Sequence, residues 1–387
     1  MASSRLPLPM IFPEGQAVEA GTLSLQGNGS IGEDDGATRL NVNGVSTLEY
    51  GDGIRNSLPI FLRARLNMNV SDGAAATQSG DFSYDIRETD PITFTKTGAG
   101  QLTLSGSQGY IGLTTISEGT LLADNFTGSV LNTGGTFSPG QSPATTSIGG
   151  GYTQQAGGTV LLEIGGTTAG TDYDVLTLGA NSDLAGTIAV QLINGFTPSF
   201  GDQFTLITST ATITDSGVSY NLPALSAGLE WTTTMSTTSL VLEIGYSNDL
   251  DGFRAQYGLN PDGSEDALDW SGNGIANILY LAFGLGDPNE SDFDRTRLPS
   301  IENESTFGDY ALSFVQPKTN VGLDIDLTTT EDLTSSFVDI DSLGSAYQPV
   351  QTDPESLDAD YERITEHFDF VGEEEIRFYR IEVDETE

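Results

Sequence analysis

Across residues 21–245 the apolar positions come in short alternating runs. TLSLQG, STLEYGDG, TVLLEIGG and TIAVQLING are examples, each closed by Gly, Asn or Asp within a few residues. Alternation over that length predicts half-buried strands, and the closing residues predict β-turns. No 3.6-residue period is sustained here, so the strands are expected to pack without intervening helices, as a solenoid, a sandwich or a barrel. The cadence is clearest over residues 93–125. Leu102, Leu104, Ile111, Leu113, Ile116, Leu121 and Leu122 are the apolar positions there, and Thr, Ser and Gly fill almost everything else. Strands so short cannot each enclose a core, but stacked rung on rung their inward residues form one continuous column.

The texture changes after residue 245. SNDLDGFRAQYGLNPDG is polar and rich in turn formers. Ile275, Ile278, Leu279, Ala282 and Phe283 then fall at helical spacing, with Gly284, Gly286 and Pro288 as stop signals. Residues 287–299 form a charged linker. From about residue 300 the strands return in YALSFVQ, GLDIDLTTT, FVDIDSL, ERITEHFDF and IRFYRIEV, a spacing that predicts a small β-sandwich. The expected architecture is all-β: a loose lead-in (1–20), a parallel β-helix (21–245), a short helical linker (246–299) and a C-terminal β-sandwich (300–387).

The repeat has a specific likeness. Lys96-Thr97-Gly98-Ala99-Gly100, Leu102-Thr103-Leu104-Ser105-Gly106, Tyr110, Thr114-Thr115 and Glu118-Gly119-Thr120-Leu121 resemble the autotransporter-associated β-strand repeat of bacterial passenger domains. That resemblance implies a parallel β-helix on an exported protein, a scaffold more than a catalyst. Residues 132–245 look like the closing portion of the same kind of protein. The last rung of a solenoid exposes strand edges and apolar side chains and must be capped. Phe196, Phe200, Phe204, Leu222, Leu225, Leu229 and Trp231 are large enough to form that cap.

Charge narrows the partners. The chain carries 55 acidic and 14 basic residues, a net charge of −41. Phosphate recognition needs clustered Lys and Arg, so nucleic acid is excluded as a partner, and an anionic membrane surface with it. Residues 1–245 have a net charge of −15 and residues 246–387 one of −26, which suggests a different module. A strongly acidic surface also keeps β-rich chains apart in solution. There are no cysteines, so disulfides, thiol catalysis and Cys-ligated zinc are ruled out. No apolar run is long enough for a membrane-spanning helix. The opening MASSRLPLPMIFPEG, broken by Pro7, Pro9 and Pro13, is a poor signal peptide, as expected if a signal was removed or the chain is part of a longer protein.

The strongest chemical motif is DWSGNGIANILY. On a calcium-loop template Asp269 takes position 1, Ser271 position 3 and Asn273 position 5. Gly274 is the turn glycine, Ile275 offers its carbonyl and Asn277 takes position 9. Calcium is therefore the candidate cofactor, and the alternative is a structural relic of such a loop, held by hydrogen bonds and by the apolar helix. The bidentate carboxylate of position 12 is replaced by Tyr280, and Asp249, Asp251, Asp262 and Asp266 are candidates for the missing oxygens. Residues 249–288 as a whole resemble a module at the C-termini of exported bacterial proteins, especially of the verrucomicrobial type, whose loop is richer in Asp and whose position 12 is usually Glu.

Catalytic signals are thin. The single histidine, His367, has no G-x-S-x-G turn to serve. Asp172 and Asp174 in GTDYDVL could form a carboxylate pair of the kind that polysaccharide lyases and hydrolases use, although a turn role fits the pattern better. Glu373-Glu374-Glu375 reads as a solvated turn, and Gly149-Gly150-Gly151 as a turn without the Lys and helix of a phosphate loop. The expected function is non-enzymatic: an extracellular or cell-surface stalk with a C-terminal sorting, anchoring or contact module. Its partners would be cell-surface or matrix components, glycans among them, or a second copy of itself. The rival readings are a carbohydrate-binding adhesin with an exposed row of Tyr110, Tyr152, Tyr173 and Tyr220, and a polysaccharide-degrading enzyme.

Overall fold

The alternating runs pair in parallel, one rung on the next. The computed structural model describes residues 3–6, 17–25, 29–31, 39–85, 92–140, 143–290, 292–303, 310–330, 338–339, 349, 351–368 and 378–386. They divide into two units, Met1–Leu225 with Trp231–Ile244, and Ser226–Glu230 with Gly245–Glu387.

In the first unit one ladder runs through Gly21–Leu25, Ser46–Tyr50, Leu66–Val70, Thr93–Thr97, Leu113–Ile116, Val130–Asn132, Tyr152–Gln154 and the start of Ser182–Leu192. A turn later in each coil, a second runs through Gly29–Ile31, Ile54–Asn56, Ala75–Gln78, Gln101–Leu104, Thr120–Ala123, Thr136–Pro139, Thr159–Ile164 and the end of Ser182–Leu192. A third joins Ala17–Val18, Leu40–Val42, Ile60–Leu62 and Phe82–Tyr84. It passes a single bridge at Gln108 and continues through Asn125–Phe126, Thr145–Ile148, Val175–Leu178 and Gln203–Ser209. Short strands that meet only the rungs above and below, on three faces, give a long parallel sheet that nearly closes on itself, the arrangement of a parallel β-helix. The expected loose lead-in is ordered where it is described: Ser3–Leu6 is a strand in register with Thr22–Leu25.

The inward columns explain the sequence. Ala76, Leu102, Leu121, Phe137, Val160 and Ile188 lie in register and are all buried. Each large member contributes about 1.5–3 kcal/mol by leaving water. The neighbouring column is mixed: Leu48, Met68, Lys96, Ile116, Asn132, Gln154 and Leu184. A buried polar group costs free energy unless it is hydrogen-bonded, and these sit at strand ends, where turn carbonyls and amides need partners. Lys96 Nζ donates to Thr97 O (2.9 Å), Gly98 O (2.6 Å) and Glu118 O (3.2 Å). Gly98 must be glycine there: its φ is +74°, and a Cβ would lie 2.3 Å from Val70 O. Asn132 and Gln154 stack on successive rungs. The Tyr152 hydroxyl donates to Gln154 Oε1 (2.7 Å) and Asn132 Oδ1 accepts from Gly135 N (3.0 Å). Tyr50, Asn56 and Gln78 repeat the device lower in the stack.

The stack ends by a change of direction. Gln203–Ser209 pairs with Ser239–Tyr246 antiparallel, with a register shift between Thr205 and Ile207. The last strand of the other ladders, Ile213–Asn221, pairs across a bulge between Leu184 and Gly186, and the Asp215 carboxylate accepts from Gly217 N (2.9 Å) and Val218 N (3.0 Å). Phe204 is the centre of the expected cap. It is fully buried, with Tyr173, Phe196 and Trp231 ring centroids at 5.4, 6.2 and 6.1 Å. Phe200 is 57% exposed, so it lies outside the cap, on the turn that leads into the strand.

The second unit is built on helix α1, Leu250–Tyr257, helix α2, Asn277–Ala282, and two antiparallel sheets. One sheet orders Ser300–Asn303, Tyr310–Pro317, Tyr361–Phe368 and Gln351–Ser356, and the other Val338–Asp339, Leu323–Thr330 and Phe378–Glu385. Helix α1 falls where only turns were expected. Asp249 caps it by accepting from Gly252 N (2.8 Å), and Gly258 closes it at φ 75°. Leu250 and Phe253 on α1 join Tyr280, Leu281 and Phe283 around α2 and Val321 and Leu323 of the sheet region in one buried core.

Candidate functional site: the loop before the second helix

The 269–277 loop folds around Asp269. Its Oδ1 accepts from Asn273 N (3.1 Å) and Ser271 Oγ (3.3 Å), and its Oδ2 from Gly274 N (2.7 Å). The Gly274 amide, then that of Asn273, hold the carboxyl below its ordinary value. Gly272 and Gly274 adopt positive φ of 70° and 89°, which lets the chain turn this tightly. Asn273 Oδ1 accepts from Ile275 N (2.9 Å).

The remaining ligand positions face protein partners. Asn277 is fully buried: its Oδ1 accepts from Trp270 N (3.3 Å) and its Nδ2 donates to Glu265 O (2.8 Å), which ties the start of α2 to the loop. Tyr280 is buried too, with its ring 5.9 Å from Phe293. Its hydroxyl lies 2.6 Å from Asn273 Nδ2, 3.3 Å from Ser271 Oγ and 3.1 Å from Glu290 O.

The extra carboxylates considered from the sequence are engaged elsewhere. Asp249 caps α1, and Asp262 accepts from Ser264 N (3.0 Å). Asp266 pairs with the buried Arg254 (Nε to Oδ1 3.2 Å), which also meets Asp251 and Glu385. Calcium takes six to eight oxygens, several of them from carboxylates. The loop offers one carboxylate, and an amide Nδ2 and a phenol stand at two further positions. Among the described residues no group of three or more His, Asp or Glu side chains is placed to hold a metal ion. The residues present do not fit calcium.

The other candidates resolve into structural roles. Tyr110, Tyr152 and Tyr173 are 1%, 0% and 5% exposed, which removes them from any surface row. Their rings fill the solenoid because a rung's inward position takes an aromatic as readily as a leucine. Tyr110 hydrogen-bonds Thr114 Oγ1, and Tyr173 Oη accepts from Thr205 N (3.3 Å). Tyr220 stands half-buried on the closing strand. Asp174 is buried, and its two oxygens accept from Ala144 N and Glu163 N, both at 2.8 Å. Asp172 accepts from Thr168 N (3.2 Å) within its own turn. Both therefore organise turns. His367 sits in the strand Tyr361–Phe368 with Nε2 3.2 Å from Asp353. Gly149 and Gly150 donate their amides to Phe126 O and Gly128 O of the preceding rung, as turn residues do. Glu373-Glu374-Glu375 lies outside the described residues.

Sequence reasoning missed the Arg254 cluster and the inward Lys96. The signal for Lys96 was available: a lone Lys at an inward-phase position of a strand, directly before a Gly turn.

The comparison with protein families fits this geometry. The family described as the passenger-associated transport repeat matches residues 94–123. Those residues make two successive passes through the first two ladders, from Thr93–Thr97 to Thr120–Ala123. The matched unit is thus one rung and the start of its repetition. No curated protein matches the chain. Among the described residues no helix is long and apolar enough to cross a membrane.

Proposed function

We propose that this chain is a non-enzymatic structural protein of the bacterial exterior, secreted or displayed at the cell surface. The β-helix acts as the stalk, and the second unit, read as a β-sandwich behind a helical joint, serves sorting, anchoring or contact. The supporting observation is the passenger-type repeat lying in register within a long parallel ladder, with its inward polar groups bound to the protein's own backbone. The carboxylate pair that an enzyme reading needs is engaged by backbone amides. The aromatic row that an adhesin reading needs is inside the stack. Contact through the second unit has a candidate surface in a cleft of about 310 Å³ lined by Gln256, Tyr257, Asp360 and Tyr361.

The test is immunolabelling of intact cells of the source bacterium, with and without added protease. Surface signal that external protease removes is expected, and a signal seen only after lysis would overturn the proposal. A broad glycan array probed with the purified chain should stay flat, because three of the four tyrosines are buried.

A further inference from the structure

We infer that Tyr280 has replaced the cation of the 269–280 loop, so that the second unit keeps a calcium-loop conformation whatever the calcium concentration. In a loop of this spacing positions 1, 3, 5 and 12 converge on the ion. Here the same four positions face one another, hydrogen-bonded in two pairs, Asp269 with Ser271 and Asn273 with Tyr280, with the two hydroxyls in contact. Asp269 accepts from Ser271 Oγ at 3.3 Å, Ser271 Oγ lies 3.3 Å from Tyr280 Oη, and Asn273 Nδ2 reaches Tyr280 Oη at 2.6 Å.

The chemistry of a phenol explains why this works without metal. A hydroxyl donates one hydrogen bond and accepts others, so it can take the Asn273 amide and still give its proton to Glu290 O at 3.1 Å. It is neutral. A carboxylate at position 12 with no cation would instead face Asp269 across the loop and repel it. The single remaining carboxylate already has three donors, Ser271 Oγ, Asn273 N and Gly274 N. The ring of Tyr280 belongs to the hydrophobic core of the unit, with α1 and α2. Loop closure is therefore coupled to core formation and not to ion binding. This inference is independent of the proposed function: it concerns how the unit is held, not what it touches.

The experiment uses the full chain. Calcium chloride titrated into it by calorimetry should give no saturable heat, and the melting of the second unit should be the same in calcium and in EDTA. Tyr280→Phe should lower that melting temperature and speed amide exchange at Asn273 and Gly274 by about tenfold, the effect of losing one buried hydrogen bond. The triple variant Ser271→Asp, Asn273→Asp, Tyr280→Glu should gain saturable calcium binding. Saturable heat with the unaltered chain, together with a calcium-raised melting point that Asp269→Ala abolishes, would overturn the inference. So would a Tyr280→Phe chain with unchanged melting and exchange, or a folded triple variant that ignores calcium.

Discussion

In the β-helix Leu102 meets Leu121, which meets Phe137, which meets Val160, so each residue of this inward column has an apolar neighbour above and below. In the second unit Arg254 meets Asp266, Asp251 and Glu385, and Asp269 and Tyr280 gather the loop between them. The first arrangement spreads stability along a column of nearest-neighbour contacts. The second concentrates it in a few polar contacts near a modest core. The charge pattern follows the same division: no Lys or Arg occurs between Lys96 and Arg254, so most of the solenoid is built without cationic side chains.

The comparison can be tested from its most sensitive point downward. Arg254→Ala leaves the buried Asp266 without its partner, which should remove about 3–5 kcal/mol. Differential scanning calorimetry should show the transition of the second unit falling steeply while that of the β-helix stays in place. Joint movement of both transitions would show that the two regions do not melt separately. Phe137→Ala should cost the β-helix about 3–5 kcal/mol as a cavity, with the loss felt on adjacent rungs by hydrogen exchange.

A smaller effect is expected from pH. Burial pulls the Lys96 ammonium from 10.5 down to about 8, with Glu118 opposing. Between those values the unfolded chain binds the proton that the folded chain has lost, so β-helix stability should rise with pH. Above about pH 10 the trend should reverse. Burial pushes the hydroxyls of Tyr50, Tyr110 and Tyr152 above their ordinary value, so the folded chain keeps protons that the unfolded chain releases. Melting curves from pH 7.5 to 11 should show the rise and the fall, and Lys96→Met should flatten the rise alone. Thr136→Val, on an outward and half-buried rung position, should change stability by less than about 0.5 kcal/mol.

The parts of the fold that rest on period and turn chemistry were legible. The alternation of Gln101–Leu104 and Thr120–Ala123, the glycine turns between them and the bulky residues around Phe204 all predicted what is found, because each rung repeats the same local solution. What was not legible depends on the third dimension. Whether Tyr152 faces in or out turns on a one-residue phase, and facing in it meets Asn132 and Gln154. Helix α1 was hidden because its apolar residues are few and Gly252 interrupts them; its Asp249 cap was the readable sign. Gln351–Ser356 carries Pro354 and reads as loop, but a proline is tolerated in a strand at the edge of its sheet. In the candidate site the spacing of Asp269, Ser271 and Asn273 reads as a calcium loop, and the chain does turn tightly there. It could not tell that Tyr280 would turn its hydroxyl back to them.

The reversal of direction at Ser239–Tyr246 sets a length. A parallel stack offers its end as a template, and nothing in one more coil of the same kind would know where to stop. Here the third face turns back on itself, with Ser239–Tyr246 antiparallel to Gln203–Ser209 and Leu229–Met235 outside it, and the closing strand beside it has a bulge and an aspartate that takes up two of its amides. The number of parallel coils in the first unit is thus set by where the third face changes direction, after Gln203–Ser209.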